Sequence, residues 1–159
     1  MKQKISIFGI GYRLAPLTIV YSIIVFTVNS YTRPFFSFKI PWTVLFTIIT
    51  FLLIIGIPFL IASGITMIKA YKADVLYTRG VYSVCRHPIY SAWILFIIPA
   101  LVLYFRSWLI LTIPVFMYVI FAAFIKEEEN YLKDRFPNQY LEYKAKTSQL
   151  FPMFWKLFW

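Results

Sequence analysis

Four apolar stretches, at about 11–29, 42–68, 89–105 and 108–125, divide this chain, and all six acidic residues lie outside them. A helix needs about 20 predominantly apolar residues to cross roughly 30 Å of hydrocarbon. Only 14% of the residues are charged, against about 25% in soluble domains. The sequence therefore predicts an all-α integral membrane protein of about four transmembrane helices, forming one membrane domain over 1–159. Two spans lie within 1–75.

The net charge of +10 is spread along the chain, not gathered into the stripe that would suggest nucleic acid. The positive-inside rule explains it better. Lys2, Lys4, Arg13, Lys69, Lys72, Arg79, Arg86, Lys126, Lys133, Arg135, Lys144, Lys146 and Lys156 fall on one side of a four-span protein, leaving Arg33, Lys39 and Arg106 on the other. This bias places both termini in the cytoplasm, together with every acidic residue. One cysteine, Cys85, forbids an internal disulfide and offers no Cys-rich metal site, and no metal is expected. Val28-Asn29-Ser30 lacks a small-x-small cleavage pattern, so the first apolar run is expected to be a retained span, not a signal peptide.

The pattern also sets local expectations. The loop 30–41 is aromatic, as befits a bilayer boundary. Gly56 and Pro58 are expected to kink the second span, for packing or for a ligand cavity. Pro99 and Pro114 fall near mid-membrane, where they either open a cleft or are the ordinary prolines of membrane helices. The last helix is expected to continue beyond Ile125 to Phe136, supported by Glu129–Lys133 and Glu128–Arg135 spacing, and to stop before Pro137. A short amphipathic stretch over 138–146 follows, and the aromatic end, 151–159, is expected at the interface.

The third and fourth spans, joined by Arg106-Ser107, make a hairpin whose ends return to one membrane face. One end holds Gly80-Val81-Tyr82-Ser83 and Arg86-His87-Pro88-x-Tyr90, with the only histidine; the other holds Glu127-Glu128-Glu129. Arg86 is a planar permanent cation suited to carboxylate or phosphate, and His87 can donate, accept or titrate near neutrality. Pro88 suits the first turn of a helix, whose N-terminus would attract anions. Tyr90 and Trp93, three residues apart, share a helix face. The carboxylates are not required by topology, and opposite-signed clusters facing one another suit a zwitterionic ligand. Interfacial anchoring of Arg86 and His87, with a solvated acidic helix end, is the bland alternative.

These residues resemble a family signature. Gly80-Val81-Tyr82-Ser83, Arg86-His87-Pro88-x-Tyr90 and Trp93 look like the isoprenylcysteine carboxyl methyltransferases and related phospholipid methyltransferases. The likeness continues through Glu128-Glu129-x-x-Leu132, Phe136, Tyr140-Leu141-Glu142-Tyr143-Lys144 and Pro152, and thus defines a methyltransferase-like region over 76–152. Two positions depart from the pattern: Ala92 stands where Gly is common after the motif tyrosine, and Pro137 where Gly usually follows the motif phenylalanine.

The resemblance implies S-adenosylmethionine as methyl donor at the cytoplasmic end of the last two spans. Arg86, His87, Pro88 and Tyr90 would form one wall of its site, and Glu128 and Glu129 the other, with Arg86, His87 and Tyr90 nearest the chemistry. The implied acceptor is a lipophilic or prenylated carboxylate held in membrane lipid, with no obligate protein partner. An α-carboxylate is ionised above a pKa of about 3.5 and needs no base, whereas a phenol or amine would need one, with His87 the sole histidine candidate. Cys85 sits at a variable motif position. Within the class, a phospholipid amine, small thiol or phenol remains an alternative acceptor. An NADPH-dependent membrane reductase and a non-catalytic scaffold are the rivals from other classes. A soluble nucleotide fold is disfavoured, because only Gly9-x-Gly11 approaches a glycine-rich loop and no βαβ pattern surrounds it.

Overall fold

The computed structural model describes residues 9–154; Lys2, Lys4, Lys156 and the aromatic end at 155–159 lie outside them. The elements run α1 (Gly11–Phe36), α2 (Trp42–Ala73), α3 (Val81–Val84) and α4 (Pro88–Ser91). From α4 the helix passes through a π-helical stretch, Ala92–Ile97, into α5 (Ile98–Leu103); α6 (Thr112–Arg135) and α7 (Pro137–Lys146) follow. Among the described residues the β contact is an isolated bridge between Ser37 and Ser107.

Two helices, α1 and α2, are long and apolar enough to cross a membrane. At about 1.5 Å per residue they reach roughly 39 and 48 Å, more than the hydrocarbon thickness. Their outer faces expose Ile19, Ile23, Ile54, Ile57 and Ile61, a surface that water would penalise and lipid does not. Inward, α2 buries Leu45, Gly56, Phe59 and Ser63. Pro88–Leu103 is a shorter apolar helix, and α6 turns from apolar to charged at Lys126.

Two boundaries differ from the sequence expectation. First, α1 runs past Asn29 to Phe36, so the loop shrinks to 37–41. The hydroxyls of Thr27, Ser30 and Thr32 donate to the carbonyls of Ile23, Thr27 and Val28, which satisfies them inside the helix. Second, the last long helix starts at Thr112, not Trp108, which puts Pro114 in its first turn instead of at a mid-span kink. A proline costs nothing there, because that N–H has no intrahelical partner. Pro99 is accommodated by the π-helical stretch before it, where the Ile98 N–H reaches back five residues to Trp93 O. The wider turn relieves the clash of a proline ring with the preceding carbonyls.

Gly56 belongs to packing. A Cβ there would lie 2.6 Å from Phe96 Cβ and 3.3 Å from Ile97 Cγ1, so α2 and the π-helical stretch touch through it. Gly56→Ala is expected to destabilise the protein by about 1–3 kcal/mol, read as a lowered thermal midpoint of the detergent-solubilised protein. An unchanged midpoint would show that the two helices do not meet there.

The bundle has two distinct ends. At one, Asn29 Oδ1 accepts from Ser107 Oγ at 2.5 Å, and Arg106 donates to Ile40 O at 2.7 Å while its guanidinium lies over Trp42. Arg106 adopts φ 53, the left-handed geometry of a sharp reversal. At the other end, Arg13 meets Glu127, Arg86 meets Glu129 and Arg135 meets Asp74. The polar clusters of the hairpin therefore do converge.

Candidate active site

The arginine–histidine segment is held by backbone pairing. Gly80 takes φ 60 and ψ −129, a conformation open essentially to glycine, and turns the chain into α3. Arg86 N–H donates to Ser148 O at 2.8 Å, His87 N–H to Gln149 O at 3.1 Å and Met153 N–H to Val84 O at 3.1 Å. The chain after α7 thus lies along residues 84–87. Tyr143, buried on α7, adds a hydroxyl bond to Tyr82 O at 2.6 Å. Pro137 is the first residue of α7 and Pro88 the first of α4, both places where a missing N–H is harmless.

Glu128 and Glu129 are adjacent on α6, about 100° apart around the helix, and their surroundings differ. Glu129 Oε1 accepts from Arg86 Nη2 at 2.9 Å and Nε at 3.1 Å, and from Gln149 Nε2 at 3.0 Å; Lys144 Nζ reaches Oε2 at 2.8 Å. The rest of the Arg86 guanidinium donates to the carbonyls of Lys144 and Thr147. Glu129 therefore turns inward to Arg86 and the tail, not along the helix to Lys133 as its spacing suggested. Glu128 instead accepts, on Oε2, from the Ile10 N–H at 3.1 Å and the Tyr90 hydroxyl at 3.0 Å. Arg135, expected near Glu128, pairs with Asp74.

Buried His87 sits between the two carboxylates, Nδ1 3.4 Å from Glu128 Oε1 and Nε2 3.5 Å from Glu129 Oε1. These are ion-pair separations, not short hydrogen bonds. Burial opposes a charge on His87, but the close approach of both glutamates outweighs it and raises its pKa. Burial likewise pushes the glutamates up; contacts with His87, followed by the other donors, outweigh it and hold both below the usual carboxylate range. Cys85 is buried against α2 and the π-helical stretch, and burial pushes its thiol up to about 12, which suits packing and not nucleophilic attack.

A pH dependence follows with a definite sign. The lowered glutamates contribute stability that is present above their unfolded pKa, about 4.3, and is lost as pH falls through their folded values. The raised histidine contributes stability that is complete below its unfolded pKa, about 6.5, and is lost as pH rises through its folded value. The thermal midpoint is expected to be highest between these limits, and the alkaline decline to disappear in His87→Gln. A wild-type profile flat across both limits would show that the three groups do not interact.

Two cavities meet at this cluster. An apolar one of about 480 Å³ is lined by Leu14, Ile19, Trp93, Ile98 and Met117, with Pro88 and Tyr90 at its polar end. A more polar one of about 420 Å³ is lined by Tyr71, Asp74, Tyr77, Tyr131, Arg135 and Arg86. Gly9, Met67, Tyr82, His87 and Glu128 line both. The expected site residues Arg86, His87, Pro88, Tyr90, Glu128 and Glu129 are thus brought together, but unequally: the Glu129 side chain is 5% exposed and the Glu128 side chain 18%. Sequence reading missed Asp74, Tyr71 and Tyr77, which belong to no motif. It also missed the part played by Lys144 and Gln149, although Lys144 lies in a stretch already singled out.

The isoprenylcysteine carboxyl methyltransferase (ICMT) family model matches residues 42–134. The match takes in α2, which the sequence signature left out, and ends before α7. Over 80 residues the chain is 34% identical to protein-S-isoprenylcysteine O-methyltransferase B of Arabidopsis thaliana, covering 50% of this chain and 41% of that protein. The chain thus spans less than half the length of that relative. No solved structure matches it. From α2 to the end of α6 the sequence carries the family's pattern, and the chain belongs to the isoprenylcysteine carboxyl methyltransferase family.

Proposed function

We propose that this chain is an S-adenosylmethionine-dependent membrane O-methyltransferase that acts on the α-carboxylate of a prenylated acceptor. The observation that carries the proposal is the junction of a polar and an apolar cavity at Glu128 and His87. Such a junction suits two ligands of opposite character meeting at one point. Family membership and the relative's name supply the reaction class. In this reading four helical segments cross the bilayer, with the carboxylate end and both ends of the sequence in the cytoplasm, as the lysine and arginine bias favours. Residues 1–159 then form one membrane domain whose methyltransferase-like region is 76–152.

The polar cavity fits the donor. Glu128 offers an acceptor for an amino group or ribose hydroxyls, the Asp74–Arg135 pair lies beside it as a further acceptor and a cation for a carboxylate, and Tyr71 and Tyr77 offer ring faces to an adenine or a sulfonium. When bound, the donor supplies a methyl on a cationic sulfur; the acceptor oxygen takes it and the sulfur departs as a neutral thioether. The chain's task is to orient the two partners, worth up to roughly 7–11 kcal/mol when alignment is good. His87 turns both ring nitrogens to carboxylates, Nδ1 to Glu128 and Nε2 to Glu129, and so presents no free base to an acceptor. That favours an acceptor already ionised over a phenol or an amine. Arg86, with Glu129 and two tail carbonyls on its guanidinium, acts by positioning and not by gripping the acceptor.

The test is transfer of labelled methyl by the purified protein to prenylcysteine analogues, phospholipids and small thiols. Separate binding titrations with S-adenosylmethionine and NADPH accompany it. Saturable donor binding with transfer to the prenylated carboxylate is expected. Transfer confined to another acceptor would replace the substrate, and NADPH binding without donor binding would sink the class.

A further inference from the structure

The Gly9-x-Gly11 pattern, unsuited to a nucleotide loop, lies against the carboxylate cluster. Gly9 has φ 50 and lines both cavities. A Cβ added there would run into the Glu128 carboxylate and come within 2.7 Å of the Tyr90 hydroxyl. The next residue, Ile10, is buried in the core cluster with Tyr90, Phe121 and Ile125, and its N–H donates to Glu128 Oε2 at 3.1 Å. Three residues on, Arg13 Nη1 lies 2.9 Å from both oxygens of Glu127. The entry to α1 therefore grips two neighbouring carboxylates of α6.

We propose that the Gly9–Ile10 turn is a positioning element: it fixes the rotamer of Glu128 and forms part of the partition between the polar and apolar cavities. Residue 9 has no side chain because the space is taken by the carboxylate, and the turn's own N–H completes that carboxylate's contacts. The positioning of Glu128 rests on geometry alone, while its consequence for the donor rests on the function proposed above. Gly11, by contrast, would meet nothing within 4 Å if given a Cβ.

His87, the only histidine, gives one imidazole signal by nuclear magnetic resonance, which reports on Glu128 without any ligand. The charged groups facing it are Glu128 and Glu129, and Arg86 adjoins it; its ring packs on Tyr90 and Phe121. In the solubilised full chain, Gly9→Ala is expected to lower the His87 pKa and to weaken S-adenosylmethionine binding about tenfold, the effect of losing one hydrogen bond to a charged group. Both effects are expected to vanish when Gly9→Ala is added to Glu128→Ala. Gly64→Ala, in open space on α2, is expected to change neither. If Gly9→Ala fails to fold, Ile10→Pro removes the N–H at a φ of −78 that proline accepts and is expected to shift His87 the same way. An unmoved His87 titration, or additive effects in the double variant, overturns the inference. A wild-type protein that binds no donor overturns the proposed function instead, and the His87 titration still decides the role of Gly9 and Ile10.

Discussion

Glu129→Ala is expected to be the most destabilising single change at the carboxylate end, lowering stability by about 3–5 kcal/mol. The Glu129 side chain is 5% exposed and that of Arg86 8%. Removing the carboxylate leaves a buried guanidinium without its counter-charge and strips His87 of one of its two anionic neighbours. It also frees Lys144 and Gln149, so the tail after α7 loses its anchor to α6. Thermal melts in detergent followed by tryptophan fluorescence read the global effect, and limited proteolysis near residues 144–149 reads the tail. Arg86→Lys is expected to fall between wild type and Glu129→Ala, because an ammonium cannot span Glu129 and the two tail carbonyls at once. A Glu129→Ala protein that melts with the wild type and keeps its tail protected would show that the pair is incidental.

The convergence of the two clusters was legible because it depends on segment lengths and a reversal at Arg106-Ser107, and apolar runs report both. What the sequence left open is what tertiary contacts decide. Local sequence does not say which of residues 128 and 129 faces the interior; only Arg86 on one side, with Lys144 on α7 and Gln149 just after it, draws Glu129 inward. The aromatic set of 30–41 reads as a boundary loop, whereas the hydroxyls of Thr27, Ser30 and Thr32 bond within the helix and α1 runs on to Phe36. Pro114 falls near mid-span only if the helix starts at Trp108, four residues before its actual start at Thr112. Gly9-x-Gly11 carries no local signal beyond a weak likeness to a nucleotide loop, because the contact of Ile10 within it with Glu128 spans more than a hundred residues of sequence.

That division between neighbours leads to the opposite expectation for Glu128. Glu128→Gln keeps an oxygen for the Ile10 N–H and the Tyr90 hydroxyl, so the fold should lose far less than in Glu129→Ala. It removes the charge at the mouth shared by the two cavities. A hydrogen bond from a ligand's amino group or hydroxyl to a charged acceptor contributes about 1.5–3 kcal/mol, so donor affinity is expected to weaken roughly 10- to 100-fold. Titration calorimetry with S-adenosylmethionine on Glu128→Gln and Glu129→Gln, paired with their melting temperatures, separates the roles. Glu128→Gln should lose binding while holding its midpoint, and Glu129→Gln should lose stability first. The reverse pattern would assign the donor to Glu129 and would leave Glu128 as the carboxylate that holds α1 to α6.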